Sequence, residues 1–320
     1  MTKKNILIAG AGQLGSRYLQ GLVNFKFFLN IYVYDISEIS LSLTKKRWIE
    51  CAGYQSNHNV IFLNNITDVP LNFDLVIVST TANSRPRIIK DILCHSKVNF
   101  WILEKVLAQS INSLSEIHSS FADKSSVWVN TPRRAILWHQ LLKNRLRNNL
   151  PLNISLTGGA WGLACNAIHF LDYMSWLSGE TLITLNTDNL ENVWHEAKRP
   201  GNWEIFGTLT ASYSGGSSVS LTSSNSMAST YTYDLKDVDG IWHVDEEHGT
   251  ATYSDGFELN GKLPYQSEMT APLIRQIFET HQCDLTSLDE SIAIHKIFIQ
   301  GMQDHWCKFM DPKAQFVPIT

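Results

Sequence analysis

Asn5-Ile-Leu-Ile-Ala-Gly10-Ala-Gly12-Gln13-Leu14-Gly15 is the stretch that decides the fold. Asn5 to Gly10 read as a short apolar strand that runs into a Gly-x-Gly-x-x-Gly turn, and a helical pattern opens directly behind it. That order is the phosphate-cradling turn of a dinucleotide-binding βαβ unit; a glycine-rich turn in some other α/β protein is the alternative. Gly10 takes the tight turn, Gly12 leaves backbone room for a pyrophosphate, and Gly15 lets the helix lie close on the strand. The helix N-terminus, at Gln13 and Leu14, offers free N–H groups to the anion. A second strand, Ile31-Tyr-Val-Tyr-Asp35, ends in an acid 20 residues past Gly15. From there a carboxylate accepts bonds from the adenosine ribose hydroxyls. Asp35 favours NAD over NADP, because it repels a 2′-phosphate and neither Ile36 nor Ser37 supplies a neutralising arginine.

The chain has 320 residues, 44% of them hydrophobic and 18% charged, which suits a soluble globular protein of two domains. A net charge of −4 gives no footing for nucleic acid. The one basic run, Lys143-Asn-Arg-Leu-Arg147, has helical spacing and reads as a solvated helix face. Cys51, Cys94, Cys165, Cys283 and Cys307 form no Cys-x-x-Cys pair and are odd in number. This fits a reducing cytoplasm and argues against a disulfide framework. The apolar stretch behind Lys3 and Lys4 breaks at Gly10, too early for a signal sequence or a membrane span.

Residues 1–130 alternate strand and helix, with strands expected at 5–10, 31–35, 59–63, 73–79, 98–104 and 126–130. Ser37 and Gly53 bracket a helix over 38–51, and Pro86 opens another that runs to about His95. Six parallel strands with helical crossovers make an α/β, doubly wound Rossmann sheet. From 131 to 320 the rhythm changes to an α+β domain. A helix near 132–148, a strand at 151–157, a loop at 158–164 and a helix at about 165–178 closed by Gly179 come first. Alternating segments then predict a mainly antiparallel open sheet, with strands at 203–213, 216–221, 231–235 and 241–244 and a strand pair over 217–230. Helices return near 268–280 and 287–303.

Ligands of open α/β sheets sit beyond the carboxyl ends of the strands. The fourth strand ends in Ser79-Thr80-Thr81-Ala82-Asn83, whose small polar side chains suit a cofactor ribose and nicotinamide or, equally, a helix-capping loop. The fifth ends in Glu104-Lys105. An ammonium at that edge is well sited to exchange a proton with a substrate hydroxyl, although a lysine after a strand is more often a surface residue.

The Gly10–Gly15 fingerprint, Glu104-Lys105 and Gly158-Gly159…His169-Phe-Leu-Asp172, in that order and spacing, resemble the Gfo/Idh/MocA oxidoreductases over essentially the whole chain. The resemblance implies NAD- or NADP-dependent hydride transfer to or from a sugar, nucleotide-sugar or cyclitol. It also implies a homo-oligomer, dimer or tetramer, built through the second domain, and no metal or membrane. Lys105 and His169 become the catalytic candidates, with Gly10, Gly12, Gln13, Leu14, Gly15, Asp35, Ser79, Thr80, Thr81, Asn83, Glu104 and Lys105 toward the cofactor. Two departures stand out. Val106 replaces the family's proline after the lysine, and a non-proline cis bond is costly, so the turn aiming Lys105 is expected to differ. Cys165 stands where the family often has an acid, so a carboxylate proton relay is missing there. The stretch Cys165-Asn166-Ala-Ile-His169 is similar to sequences among cell-surface polysaccharide gene products.

On a helix, Cys165, His169, Asp172 and Trp176 share one stripe. Asp172 then orients His169 or bonds substrate, or the two form a structural pair. Asn166 can hydrogen-bond a substrate hydroxyl, Arg133 and Arg134 can meet a carboxylate or phosphate, and Trp161 and Trp203 suit a sugar-binding wall or core packing. His243-Val-Asp-Glu-Glu-His248 reads as an exposed hairpin, not a metal site. Two other classes remain open: an enzyme that uses NAD without net redox, for epimerisation, elimination or glycoside cleavage, and a non-catalytic NAD- and sugar-binding sensor.

Overall fold

The computed structural model describes residues 3–52, 56–121, 126–146, 151–226 and 228–320. Gly53, expected as a helix cap, and the end of the helix expected over 132–148, with Arg147 of the basic run, lie outside the described residues. Contacts divide the chain into two units: residues 1–107, 115–130 and 264–288, and residues 108–114, 131–263 and 289–320. The sequence suggests one boundary at 130; by contacts, residues 264–288 group with the first unit.

In the first unit, β1 (Lys4–Ala9), β2 (Leu29–Tyr34), β3 (Asn59–Leu63), β4 (Asn72–Val78), β5 (Lys97–Leu103) and β6 (Val127–Val129) pair in parallel, in the order β6-β5-β4-β1-β2-β3. Helices α1 (Gln13–Gln20), α2 (Glu38–Ala52), α3 (Arg85–His95) and α4 (Ile111–Ser120), of which residues 115–120 belong to this unit, alternate with them along the chain. Leu75 to Val78 and Ile6 to Ala9 are fully buried, as strands covered on both faces must be. The order reverses at β1, and β1 and β4 open the switch-point crevice at their carboxyl ends. A seventh strand escaped the sequence: Thr286–Ser287 pairs antiparallel with β6. Two residues are too few for a periodic signal.

The second unit holds α5 (Leu137–Arg145), β7 (Asn153–Gly158), α6 (Leu163–Ser178), β8 (Leu182–Glu196), β9 (Trp203–Tyr213), β10 (Ser218–Ser223), β11 (Tyr231–Lys236), β12 (Ile241–Asp245), β13 (Thr250–Tyr253) and β14 (Glu258–Asn260). The strands form one sheet in the order β14-β13-β12-β11-β7-β10-β9-β8. It is antiparallel except for β7 and β10, which run parallel. Along β7, Ile154 and Leu156 are buried while Ser155 and Thr157 are exposed. α6 packs on β9 and β10 and buries Ile168, Phe170, Leu171 and Met174.

Three expectations are corrected here. Among the described residues of 217–230 there is one strand, β10, not a pair. The helix expected from Pro132 begins as a 3-10 turn, Pro132–Ala135, and restarts at Leu137 after the extended Ile136. The 15-residue β8 went unread, because three register shifts against β9 break its alternation. No described helix is long and apolar enough to cross a membrane.

Candidate functional site

The glycine turn is built as its residue types demand. Gly10 has φ +105°, and a Cβ there would lie 2.9 Å from Thr80 N and 3.0 Å from the Ser79 carbonyl carbon. A Cβ on Gly15 would lie 1.8 Å from the Gly10 carbonyl oxygen, so α1 packs directly on the turn. A Cβ on Gly12, the N-cap of α1, meets nothing within 4 Å. That open space is the room a pyrophosphate needs. The Ala11 peptide between them is clamped from both sides: Asp35 accepts its N–H at 2.7 Å and the Thr44 hydroxyl donates to its carbonyl at 2.7 Å. Asp35 also accepts from Ser37 N at 2.8 Å. Each carboxylate oxygen keeps lone pairs for further donors. Gln13 is exposed and Leu14 half-buried on the first turn of α1.

After β4, Ser79 donates to the Gly10 carbonyl at 2.8 Å, so its hydroxyl braces the turn from behind. The Thr80 hydroxyl is buried with no hydrogen-bond partner among the described residues. Thr81 donates to Asn83 at 2.5 Å and contacts Ser84 Oγ at 3.1 Å, the capping-loop alternative.

After β5, Glu104 is 2% exposed and accepts from the Tyr18 hydroxyl at 2.5 Å and Asn130 Nδ2 at 2.6 Å. Burial raises its pKa against those bonds and the nearby charges of Arg85 and Lys105. Lys105 is the only residue from Trp101 to Gln109 that is not buried. The Lys105–Val106 peptide is cis, and Val106 is fully buried.

In the second unit, α6 starts at Leu163 behind Gly162, whose φ is +83°. Glu204 of β9 caps it, accepting from Ala164 N at 2.9 Å and Cys165 N at 3.1 Å. Asn166 donates to the Trp161 carbonyl at 2.8 Å. His169, one turn further on, is half-buried, as are Cys165 and Asn166.

Three residues expected to meet substrate are paired with interior partners. Arg133 lies in the interior and binds Glu246 through two bonds, Nε to Oε1 at 2.8 Å and Nη2 to Oε2 at 2.6 Å, with Tyr231 bonded to both partners. Burial opposes both charges, yet mutual attraction holds the arginine pKa above and the glutamate pKa below their usual values. Asp172, 2% exposed, binds Arg134 through both oxygens, at 2.8 and 3.0 Å. Trp161 is 5% exposed, donates to the Thr222 carbonyl at 2.9 Å and packs on Phe170 and Tyr231. Each is held by interior partners that local spacing does not reveal. Trp203 stays half-buried against Trp306. His243 and His248 are exposed and paired with Asp234 and Asp245, and no described cluster could hold a metal ion.

Among solved structures, the chain is similar to UDP-N-acetylglucosamine 3-dehydrogenase GnnA from Acidithiobacillus ferrooxidans (TM-score 0.69, 12% identity, 94% of this chain and 97% of that one). It is similar to myo-inositol dehydrogenase from Lactobacillus casei in complex with NAD(H) and myo-inositol (TM-score 0.66, 14% identity, 96% of each chain). It is also similar to the transcriptional regulator Gal80p from Kluyveromyces lactis (TM-score 0.69, 12% identity, 95% of this chain and 90% of that one). The likeness is one of fold and extends over nearly the whole chain. No protein-family model and no curated protein sequence matches the chain.

Within this fold, sequence reading missed Arg85, Glu204 and Glu246. The alternation of β12 was a usable signal for the last: Trp242 and Val244 face inward, and Glu246 follows at the same period. Arg85 and Glu204 carry no local signal, because their partners lie elsewhere in the chain.

Proposed function

We propose that this protein is an NAD-dependent oxidoreductase acting on a CH–OH group of a sugar, nucleotide-sugar or cyclitol. The observation that carries it is an arrangement within the first unit. The clamped glycine turn follows β1, Lys105 follows β5, and β4 lies between. Two strand spacings put those tips about 10 Å apart, a span that a dinucleotide held by its pyrophosphate at Gly12 covers. The residues present fit that group, since Gly12 opens onto free space and Asp35 presents a carboxylate with no arginine beside it in the sequence. Asp35 supports NAD over NADP for that reason.

When bound, the nicotinamide takes or supplies hydride. Lys105 takes the proton from the reacting hydroxyl on oxidation and returns it to the carbonyl oxygen on reduction. His169 and Asn166, on α6, hold hydroxyls of the substrate. The substrate class is supported by the names of similar folds, one acting on UDP-N-acetylglucosamine and one bound to myo-inositol. A place in cell-surface carbohydrate biosynthesis rests on the likeness of the Cys165–His169 stretch alone.

The test is absorbance at the reduced-nicotinamide band with NAD and a panel of cyclitols, sugars and nucleotide-sugars. Growth of NADH with one of them, abolished in Lys105→Ala while NAD still binds, is the expected result. Full turnover in Lys105→Ala rejects the role of Lys105. Isotope exchange from substrate without net NADH assigns the recycling class instead, and binding of NAD with neither signal assigns a sensor. Sedimentation measures the dimer or tetramer that the same family likeness implies.

A further inference from the structure

We infer that Arg85 is the positioning residue for Lys105: its guanidinium fixes the turn after β5 to the turn after β4. This rests on the oxidoreductase reading for its catalytic consequence, though not for its geometry. Arg85 is 1% exposed, at the first position of α3. Its Nη1 donates to the carbonyls of Val106 and of Leu107, the latter at 2.9 Å, and its Nη2 donates to the Thr80 carbonyl at 2.5 Å. Val106, Leu107 and Ala108 are fully buried, so two of the carbonyls sit in a dry turn. A buried carbonyl without a donor is costly, and one planar fork of fixed N–H vectors serves three at once.

The consequence falls on Lys105. It is the half-exposed residue between Glu104, anchored by Tyr18 and Asn130, and Val106, anchored by Arg85. With both neighbours pinned, the lysine backbone has one position, and its Nζ is delivered from a fixed root. The same guanidinium holds Thr80, whose peptide borders Gly10. The glycine turn and the lysine turn are therefore set relative to each other by a single side chain. A lysine at 85 would keep the charge but lose the fork, since an ammonium on a flexible stem does not span three carbonyls in one plane.

The experiment is carried out on the full chain after reductive ¹³C-methylation of its lysines, with the Lys105 signal assigned by its loss in Lys105→Arg. Arg85→Lys and Arg85→Ala are expected to shift the Lys105 signal and to leave in place that of Lys97, at the opposite end of β5; in Arg85→Ala, millimolar ethylguanidinium returns the Lys105 signal toward wild type. In turnover, both variants are expected to lower kcat by roughly 10- to 100-fold, the scale of a misplaced catalytic group, with a smaller change in the KM for NAD. Should Arg85→Ala not fold, Arg85→Lys alone decides. A Lys105 signal unmoved in Arg85→Lys overturns the inference whatever the activity. A wild-type protein that transfers no hydride overturns the oxidoreductase reading, while the lysine signal still decides the role of Arg85.

Discussion

Asp35 Oδ2 accepts the Ala11 N–H at 2.7 Å, so the acid at the end of β2 and the glycine turn after β1 are one rigid piece. The carboxylate sets the turn and presents its remaining lone pairs to whatever lies over it. Asp35→Asn keeps an acceptor for Ala11 but removes the charge. The expected outcome is weaker binding of NADH by roughly 10-fold, the scale of one charge-assisted hydrogen bond, and a narrower gap between NADH and NADPH. Fluorescence titration of both nucleotides measures this. An unchanged ratio of the two affinities would show that Asp35 does not set the choice.

Gly12 and Gly15 are predicted to fail in opposite ways. A methyl at Gly12 enters open space, so Gly12→Ala is expected to keep its stability within about 0.5 kcal/mol while losing most of its affinity for NADH. A methyl at Gly15 collides with the Gly10 carbonyl, which is backbone and has nowhere to go. Gly15→Ala is expected to lose at least about 1–3 kcal/mol. Thermal melts with and without NADH separate the two. Equal loss of stability in both would contradict the open cradle.

The contrast between these residues and Arg133 shows what was legible before folding. Gly10, Gly12, Gly15 and Asp35 act through backbone geometry within one βαβ unit, and their spacing carries the information. The sheet around them was readable for the same reason, since Leu75 to Val78 form a continuous apolar run that only a doubly covered strand uses. The pairing of Arg133 was not legible because its partner Glu246 lies 113 positions away, and nothing local separates a buried guanidinium from one facing a ligand. Trp161 was equally ambiguous, with a ring that suits a sugar or a core. β8 was lost to its register shifts. Lys105 stood out in sequence by its place at a strand's carboxyl end and by family likeness; the structure adds that its neighbours are buried and it is not.

The Arg133–Glu246 pair, with Tyr231 and the Phe170 ring 4.1 Å from the guanidinium carbon, predicts a stability defect rather than a binding defect. Glu246→Gln leaves a buried cation without its counter-charge and is expected to cost roughly 3–5 kcal/mol. Arg133→Met strands the carboxylate by the same logic. Replacing both, Arg133→Met with Glu246→Leu, is expected to cost less than either alone. Denaturant unfolding of the three variants checks it. Additive losses would mean that the two charges do not depend on each other.

His139 makes stability depend on pH. It is fully buried, with Trp138 and Tyr173 against its ring and Glu246 Oε1 3.5 Å from Nε2. Burial, with the charge of Arg133, lowers its pKa to about 4 against the pull of Glu246. The folded protein thus keeps the ring neutral where the unfolded chain, at its ordinary 6.5, takes up a proton. Stability is whole above that value and falls as pH drops from 6.5 toward 4. Glu246, held below its usual pKa, adds a loss in the same direction once pH passes below about 4.5. His139→Phe removes the upper window. Between pH 7 and 4.5, the variant is expected to lose less stability than wild type, by up to about 3 kcal/mol. Urea unfolding at a series of pH values gives both curves. Parallel curves would mean that the imidazole is already protonated in the folded state or does not feel its burial.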